Sequence, residues 1–225
     1  MQRFYQGFSR FIREFRGFLG FLLLMLVFRS AIADWNSVPT GSMKPTIIEG
    51  DRIVVNKLAY DVKLPFSDIT LWRVGEPQRG DIIVFDSVAA DTRLVKRVIG
   101  LPGDTVAMQD NRLLINGQPL AYAAQQRIGE HYQLVEQLGS LQHPVWWAPE
   151  GSKASSFASV TVPLDQYLVL GDNRDNSVDS RYYGFVPRTE IVGRTRSVAM
   201  SLNYDNYYLP RSDRFFIELS APAAP

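Results

Sequence analysis

The sequence predicts a mainly β chain: an N-terminal transmembrane helix, then a barrel-like β domain carrying an inserted, smaller β subdomain. Three observations predict it. A run of apolar residues, Gly17 to Phe28, follows a segment holding Arg3, Arg10, Arg13 and Arg16 against a single Glu14. Beyond residue 34, short alternating or continuous apolar runs are broken at close spacing by Gly, Pro, Asp and Asn, the pattern of many short strands. Residues 105–166 change character, becoming Gln-rich and Gly/Ser-rich with few reactive groups. The resulting division is a basic N-terminus and membrane anchor at 1–33, a main β domain at 34–104 and 167–212, an inserted subdomain at 105–166, and a tail at 213–225 that frays from Ala221 to Pro225.

The anchor rests on charge order. Basic residues first and apolar residues second place the N-terminus in the cytoplasm and the chain from about residue 34 onward on the outer face. Phe15 to Ala33 is long enough to span if Arg16 and Arg29 reach opposite interfaces. A cleavable leader ending at Ala31-Ile32-Ala33 is the alternative. Arg29, directly behind the apolar run, fits cleavage less well, so a retained anchor is preferred.

The strands come next in chain order. Asp51 to Asn56, Asp81 to Phe85, Arg93 to Ile99, Tyr167 to Leu170 and Ile191 to Met200 each read as one strand. Arg112 to Leu120 reads as a hairpin turning at Asn116-Gly117. Composition narrows the chemistry. With 46% hydrophobic and 12% aromatic residues the chain can build a core. A net charge of +1 supplies no global field for nucleic acid. The absence of cysteine removes disulfides, thiolate nucleophiles and Cys-based zinc sites. His131 and His143 lie in the inserted stretch without acidic or hydroxyl motifs beside them, so a base other than histidine is expected.

Three motifs carry the candidate chemistry. Val38-Pro-Thr-Gly-Ser-Met-Lys-Pro-Thr46 is a stiffened loop in which Gly41 frees the backbone beside Ser42. Taken alone it is an ordinary Gly-Ser turn, and Lys44 excludes the Gly-x-Ser-x-Gly elbow. In Arg93 to Gly100, strand alternation sets Leu94, Lys96 and Val98 on one face. Lys96 there is either an edge lysine with its head in water or a buried amine whose pKa falls from about 10.4 toward 7–8, where it works as a base. Arg97 cannot serve, because a guanidinium does not deprotonate. Lys44, Lys57 and Lys63 lie in polar or loop contexts that keep them charged. Gly171-Asp-Asn-Arg-Asp-Asn-Ser-Val-Asp-Ser-Arg181 comes after an apolar strand. It fails as a calcium loop, with Arg174 at position three, Ser177 at six and Tyr183 at twelve, and reads as a hydrogen-bonded frame or a solvated loop.

These three motifs, with Gly80-Asp-Ile-Ile-Val-Phe85, resemble in order and spacing the sequence boxes of bacterial type I signal peptidases. The likeness runs from about Arg29 to Asp104 and from about Tyr167 to Met200, roughly half of the chain; residues 105–166 match loosely, as that family's variable second domain would. The resemblance implies a Ser/Lys serine endopeptidase that removes signal peptides from exported preproteins, cutting after small-x-small sites without metal or cofactor. It implies Ser42 as nucleophile, Lys96 as general base, and Ser177 as the hydroxyl that orients the lysine. Thr40, where the family has Ser, would join the Ser42 N–H in stabilising the oxyanion. Arg97, Asp172, Asp179 and Arg181 would form supporting ion pairs, and Val38, Met43, Ile47 and Val95 would line small-residue pockets. The expected setting is a monomer on the outer face of the bacterial inner membrane, with signal peptides and the lipid bilayer as partners and Trp35, Phe66 and Trp72 as candidate interface residues. A dedicated conjugation- or pilus-precursor peptidase and a non-catalytic peptide-binding β module are the rival readings.

Overall fold

The computed structural model describes residues 2–67 and 69–219, with the side chains of residues 2–14 and of residue 124 outside the description. Helix α1 covers Gln2–Ala31, and chain order then gives β1 (Ala33–Ser37), β2 (Asp51–Asn56), β3 (Asp61–Lys63), β4 (Thr70–Arg73), β5 (Ile82–Ser87) and β6 (Thr92–Gly100). The inserted stretch supplies β7 (Thr105–Gln109), β8 (Arg112–Ile115), β9 (Gln118–Pro119), β10 (Ala121–Ile128), β11 (His131–Leu138), β12 (Leu141–Trp147) and β13 (Phe157–Thr161). After it come β14 (Gln166–Leu170), the short helix α2 (Ser180–Tyr183), β15 (Val186–Pro187), β16 (Ile191–Asn203), β17 (Leu209–Pro210) and β18 (Ile217–Glu218).

Among the described residues the main sheet has the order β1-β2-β16-β5-β6-β14-β15, with β17 and β18 also on β16. Alternation builds it: in β2, Ile53 and Val55 point into a core completed by Val38, Met43, Ile47, Ile82, Val84 and Val198. β6 needs cover on both faces, since Lys96 through Gly100 are all buried. Gly100 permits this, because a Cβ there would press into Val106, Val162 and Leu168 of a second core. The inserted strands form two sheets, β10-β11-β12 and β13-β7-β8-β9. The hairpin expected at Asn116-Gly117 is present, with φ of 52° and 77° as a two-residue turn requires.

Three expectations are corrected. The main sheet does not close into a barrel: its path ends at β1 and β15, and β1 instead borders an open cleft opposite the start of β6. No helix among the described residues is long and apolar enough to cross a membrane. The twelve residues Gly17–Phe28 between Arg16 and Arg29 make about 18 Å of helix, against a hydrocarbon core of about 30 Å. The tail does not begin at 213, because β18 pairs with Ser197 and Val198 and Leu219 joins the first core; the frayed end expected from Ala221 lies outside the described residues.

α1 is tied to the β body at its C-terminus. Lys57 Nζ donates to the carbonyls of Arg29 (2.9 Å) and Ser30 (3.0 Å), placing a cation at the negative helix end. Phe66 N donates to Ser30 Oγ (2.7 Å), joining the β3–β4 hairpin to the same end.

Candidate active site

Two separate supports bring a hydroxyl and an amine together. Lys96 sits on β6, opposite Ile83 of β5, and is 2% exposed. Ser42 sits in the turn after β1, beneath which Met43 and Ile47 are buried. Lys96 Nζ donates to Ser42 Oγ at 2.8 Å and to the Val95 carbonyl at 3.1 Å. Burial lowers the amine's pKa to about 8; Asp179 and Asp172 oppose that fall, and Arg181 adds to it. A minority neutral fraction, about a tenth at pH 7, is therefore present, and a neutral amine offers the lone pair that a base requires.

Arg97 pairs with Asp172, and Arg181 with Asp179. Leu170 of β14 lies opposite Arg97 of β6, so the chain leaving β14 delivers Asp172 beside that guanidinium. Arg97 Nε and Nη2 donate to Asp172 at 2.8 and 2.6 Å, and Arg97 Nη1 donates to the Gly80 carbonyl at 2.9 Å. Thr46 Oγ1 donates to Asp172 Oδ2 at 2.5 Å. Burial pushes the Asp172 carboxyl up, but Arg97 outweighs it and holds the group below its usual range. Asp179 accepts from Arg181 Nε (2.8 Å) and Nη2 (2.7 Å), and from Gly171 N (3.0 Å).

Other expected residues fall less neatly. Thr40 is exposed and lines a cavity of about 420 Å³ together with Ser42, Lys96, Val38, Met43 and Val95. Among the described residues the Ser42 main-chain N–H has no acceptor, so it is available to a ligand. Ile47 is fully buried in the first core and does not border the cavity. Ser177 Oγ is buried without a hydrogen-bond partner, and no bond joins it to Lys96. Lys44 pairs with Glu49 and Lys57 caps α1, which accounts for two of the three other lysines weighed as bases.

The sequence did not point to Asn173, Glu136 or His143. Asn173 holds the nucleophile turn twice: its main-chain N donates to the Ser42 carbonyl and its Nδ2 to the Gly41 carbonyl, both at 3.1 Å. Asn173 stood inside a quoted motif, where an amide next to a paired Asp was the available signal. Glu136 and His143 come from the inserted stretch, whose sequence carries no such signal. Burial lowers the His143 pKa to about 4, and Arg97 adds to the fall, so at neutral pH it is an uncharged ring between Glu136 and Asp172 rather than a base.

A family model for signal peptidases, peptidase S26, matches residues 12–200. The chain belongs to the signal peptidase family, peptidase S26. It is thereby a peptide-bond hydrolase. Signal peptidase I of Pseudomonas fluorescens is 39% identical over 202 residues, covering 83% of this chain and 71% of that protein. Signal peptidase I of Pseudomonas aeruginosa is 38% identical over 207 residues, with the same two coverages. A solved signal peptidase I from Enterococcus faecalis V583 is 35% identical, covers 54% of this chain and 97% of its own, and superposes with a TM-score of 0.36.

Proposed function

We propose that this chain removes signal peptides from exported preproteins by acyl transfer through Ser42, with Lys96 as general base. The observation that carries the reading is the 2.8 Å approach of a dehydrated amine to a hydroxyl at the wall of an open cavity. Neutral Lys96 takes the Ser42 proton as Oγ attacks the scissile carbonyl. The Ser42 N–H and the Thr40 hydroxyl stabilise the oxyanion; donors of this kind contribute about 3–4 kcal/mol each in other hydrolases. Lys96, now protonated, gives its proton to the leaving amine, and water then releases the acyl group. Rotation of Ser177 toward Lys96 would give its buried hydroxyl the partner it lacks and fix the amine. None of these steps calls on a metal or cofactor. Val38, Met43 and Val95 give the cavity apolar walls suited to small side chains at the cleavage site.

The bilayer is the second partner in this reading. Phe18, Phe21, Leu23, Leu24 and Leu26 are exposed on α1, and Phe66, Ile69, Leu71 and Trp72 are exposed on or beside the hairpin tied to its end. Embedded there, α1 would hold a monomer at the outer face of the inner membrane, the main sheet bearing the site and residues 105–166 as an inserted subdomain. The test is cleavage of unrelated signal-peptide precursors in detergent by wild type, Ser42→Ala and Lys96→Ala. Wild type should cut several of them, and both variants should be slowed by at least about 10³-fold. Cleavage of one precursor alone would favour the dedicated peptidase. Variants as active as wild type would end the Ser/Lys reading.

A further inference from the structure

We propose that Glu136, on β11 of the inserted stretch, is a positioning residue for the Ser42–Lys96 pair, acting through Arg174; this rests on the peptidase reading of that pair. Glu136 is fully buried. Its carboxylate accepts from Arg174 Nη2 at 2.7 Å, lies 2.7 Å from Arg174 Nη1, and accepts from Tyr122 of β10 at 2.7 Å. Burial pushes the carboxyl up, but Arg174 and its other partners hold it low, so it is an anion throughout the working range. The neutral His143 ring of β12 fills the space between this pair and Asp172, 3.5 Å from Glu136 Oε1 and 3.7 Å from Asp172 Oδ1.

What Glu136 fixes is the peptide that backs onto the nucleophile. Arg174 Nε donates to the Gly171 carbonyl at 3.3 Å, while Asp179 takes the Gly171 N–H. Arg181, which pairs with Asp179, also donates to the Arg174 carbonyl at 2.5 Å. Gly171 is therefore held on both sides. It has no room for a side chain, because a Cβ would overlap the Ser42 carbonyl and Ser177 Oγ. Two residues on, Asn173 grips the Ser42 and Gly41 carbonyls. The inserted stretch adds a main-chain tie: Trp146 N donates to the Asp172 carbonyl at 2.9 Å and bridges in parallel to Asn173. Lys96 is set by the main sheet, between β5 and β14. The amine thus belongs to the main sheet, whereas the hydroxyl is set by a loop that the inserted sheet holds in place. A shift in that loop changes the Oγ–Nζ distance while leaving the walls that β1 and β6 supply in place, and misplacement by about 1 Å can cost on the order of 10²-fold in rate.

The experiment separates positioning from stability. Replacing both members of a buried ion pair with apolar residues commonly restores or raises stability. The Glu136→Leu/Arg174→Met double variant should melt close to wild type, yet show kcat reduced at least about tenfold with KM within about twofold. Tyr122→Phe, which keeps the ring and strands no charge, should lower kcat by about threefold. A double variant with wild-type melting and wild-type kcat overturns the inference, as does unchanged kcat in Tyr122→Phe if the double variant does not fold. Wild type and Ser42→Ala run beside them on the same precursor. A wild type that leaves the precursor uncut removes the functional reading and this inference together, whereas a wild type that cuts no faster than a well-folded double variant removes this inference alone.

Discussion

A single amine carries opposite demands at Lys96. The base must be neutral, so activity rises with pH through the amine's pKa of about 8 and levels above it. A kcat/KM profile on a precursor should show that midpoint; a flat profile from about pH 6 to 9 would exclude a lysine base. The same burial acts on stability. The folded pKa lies below the unfolded value of about 10.5, so between the two the unfolded chain binds more protons and stability grows with pH. Below about 8 the full cost of burying the ammonium is present. Lys96→Met should therefore be inactive yet more stable at pH 7, by about 2–3 kcal/mol, with the gain shrinking from about pH 8 upward and nearly gone at about pH 10.5. Urea unfolding at the two pH values checks it. Strand alternation set Lys96 between Leu94 and Val98 but left an edge lysine open; its role as base came from the family resemblance. Ile47, expected at a pocket, packs into the core instead, because the direction of a side chain in an irregular turn is set by the groups packed beneath it and by no period.

β6 and β14 are joined by a register that makes one ion pair inevitable. Leu170 opposite Arg97 leaves Asp172 within reach of the guanidinium, and both groups are almost fully buried. Asp172→Asn keeps the shape but strands the cation, and should destabilise the fold by about 3–5 kcal/mol, read as a lower urea midpoint. The strands themselves were readable. Arg93 to Ile99 was expected and Thr92–Gly100 is found; Tyr167 to Leu170 was expected and Gln166–Leu170 is found. β10 was not readable, because Ala121–Ile128 carries two glutamines and an arginine and owes its extension to pairing with β11. Nor was the Glu136–Arg174 pair, whose members lie 38 residues apart, one on the central strand of β10-β11-β12 and the other in the turn after β14.

The molecule as a whole presents an apolar margin. Trp72 is 73% exposed and Phe66 64%, on a hairpin held by Arg188, which donates to Asp61 at 2.8 and 3.0 Å and to Glu76 at 2.8 Å. In the bilayer reading these rings sit at the interface, where aromatic residues concentrate. The Phe66→Ser/Trp72→Ser variant should bind lipid vesicles roughly tenfold more weakly by sedimentation, with precursor cleavage in detergent unchanged. Equal vesicle binding would leave α1 as the sole contact. Phe66 and Trp72 were named from sequence as candidate interface residues; the hydrogen bond from Phe66 N to Ser30 Oγ, across 36 residues, carried no sequence signal. The lysine cap at the end of α1 has a geometric corollary. It fixes where the helix stops, and β1 then spans five residues, about 17 Å of extended chain, before the turn that bears the serine. In the bilayer reading, helix stop and strand length together would act as a ruler, gauging how far a scissile bond stands from the lipid.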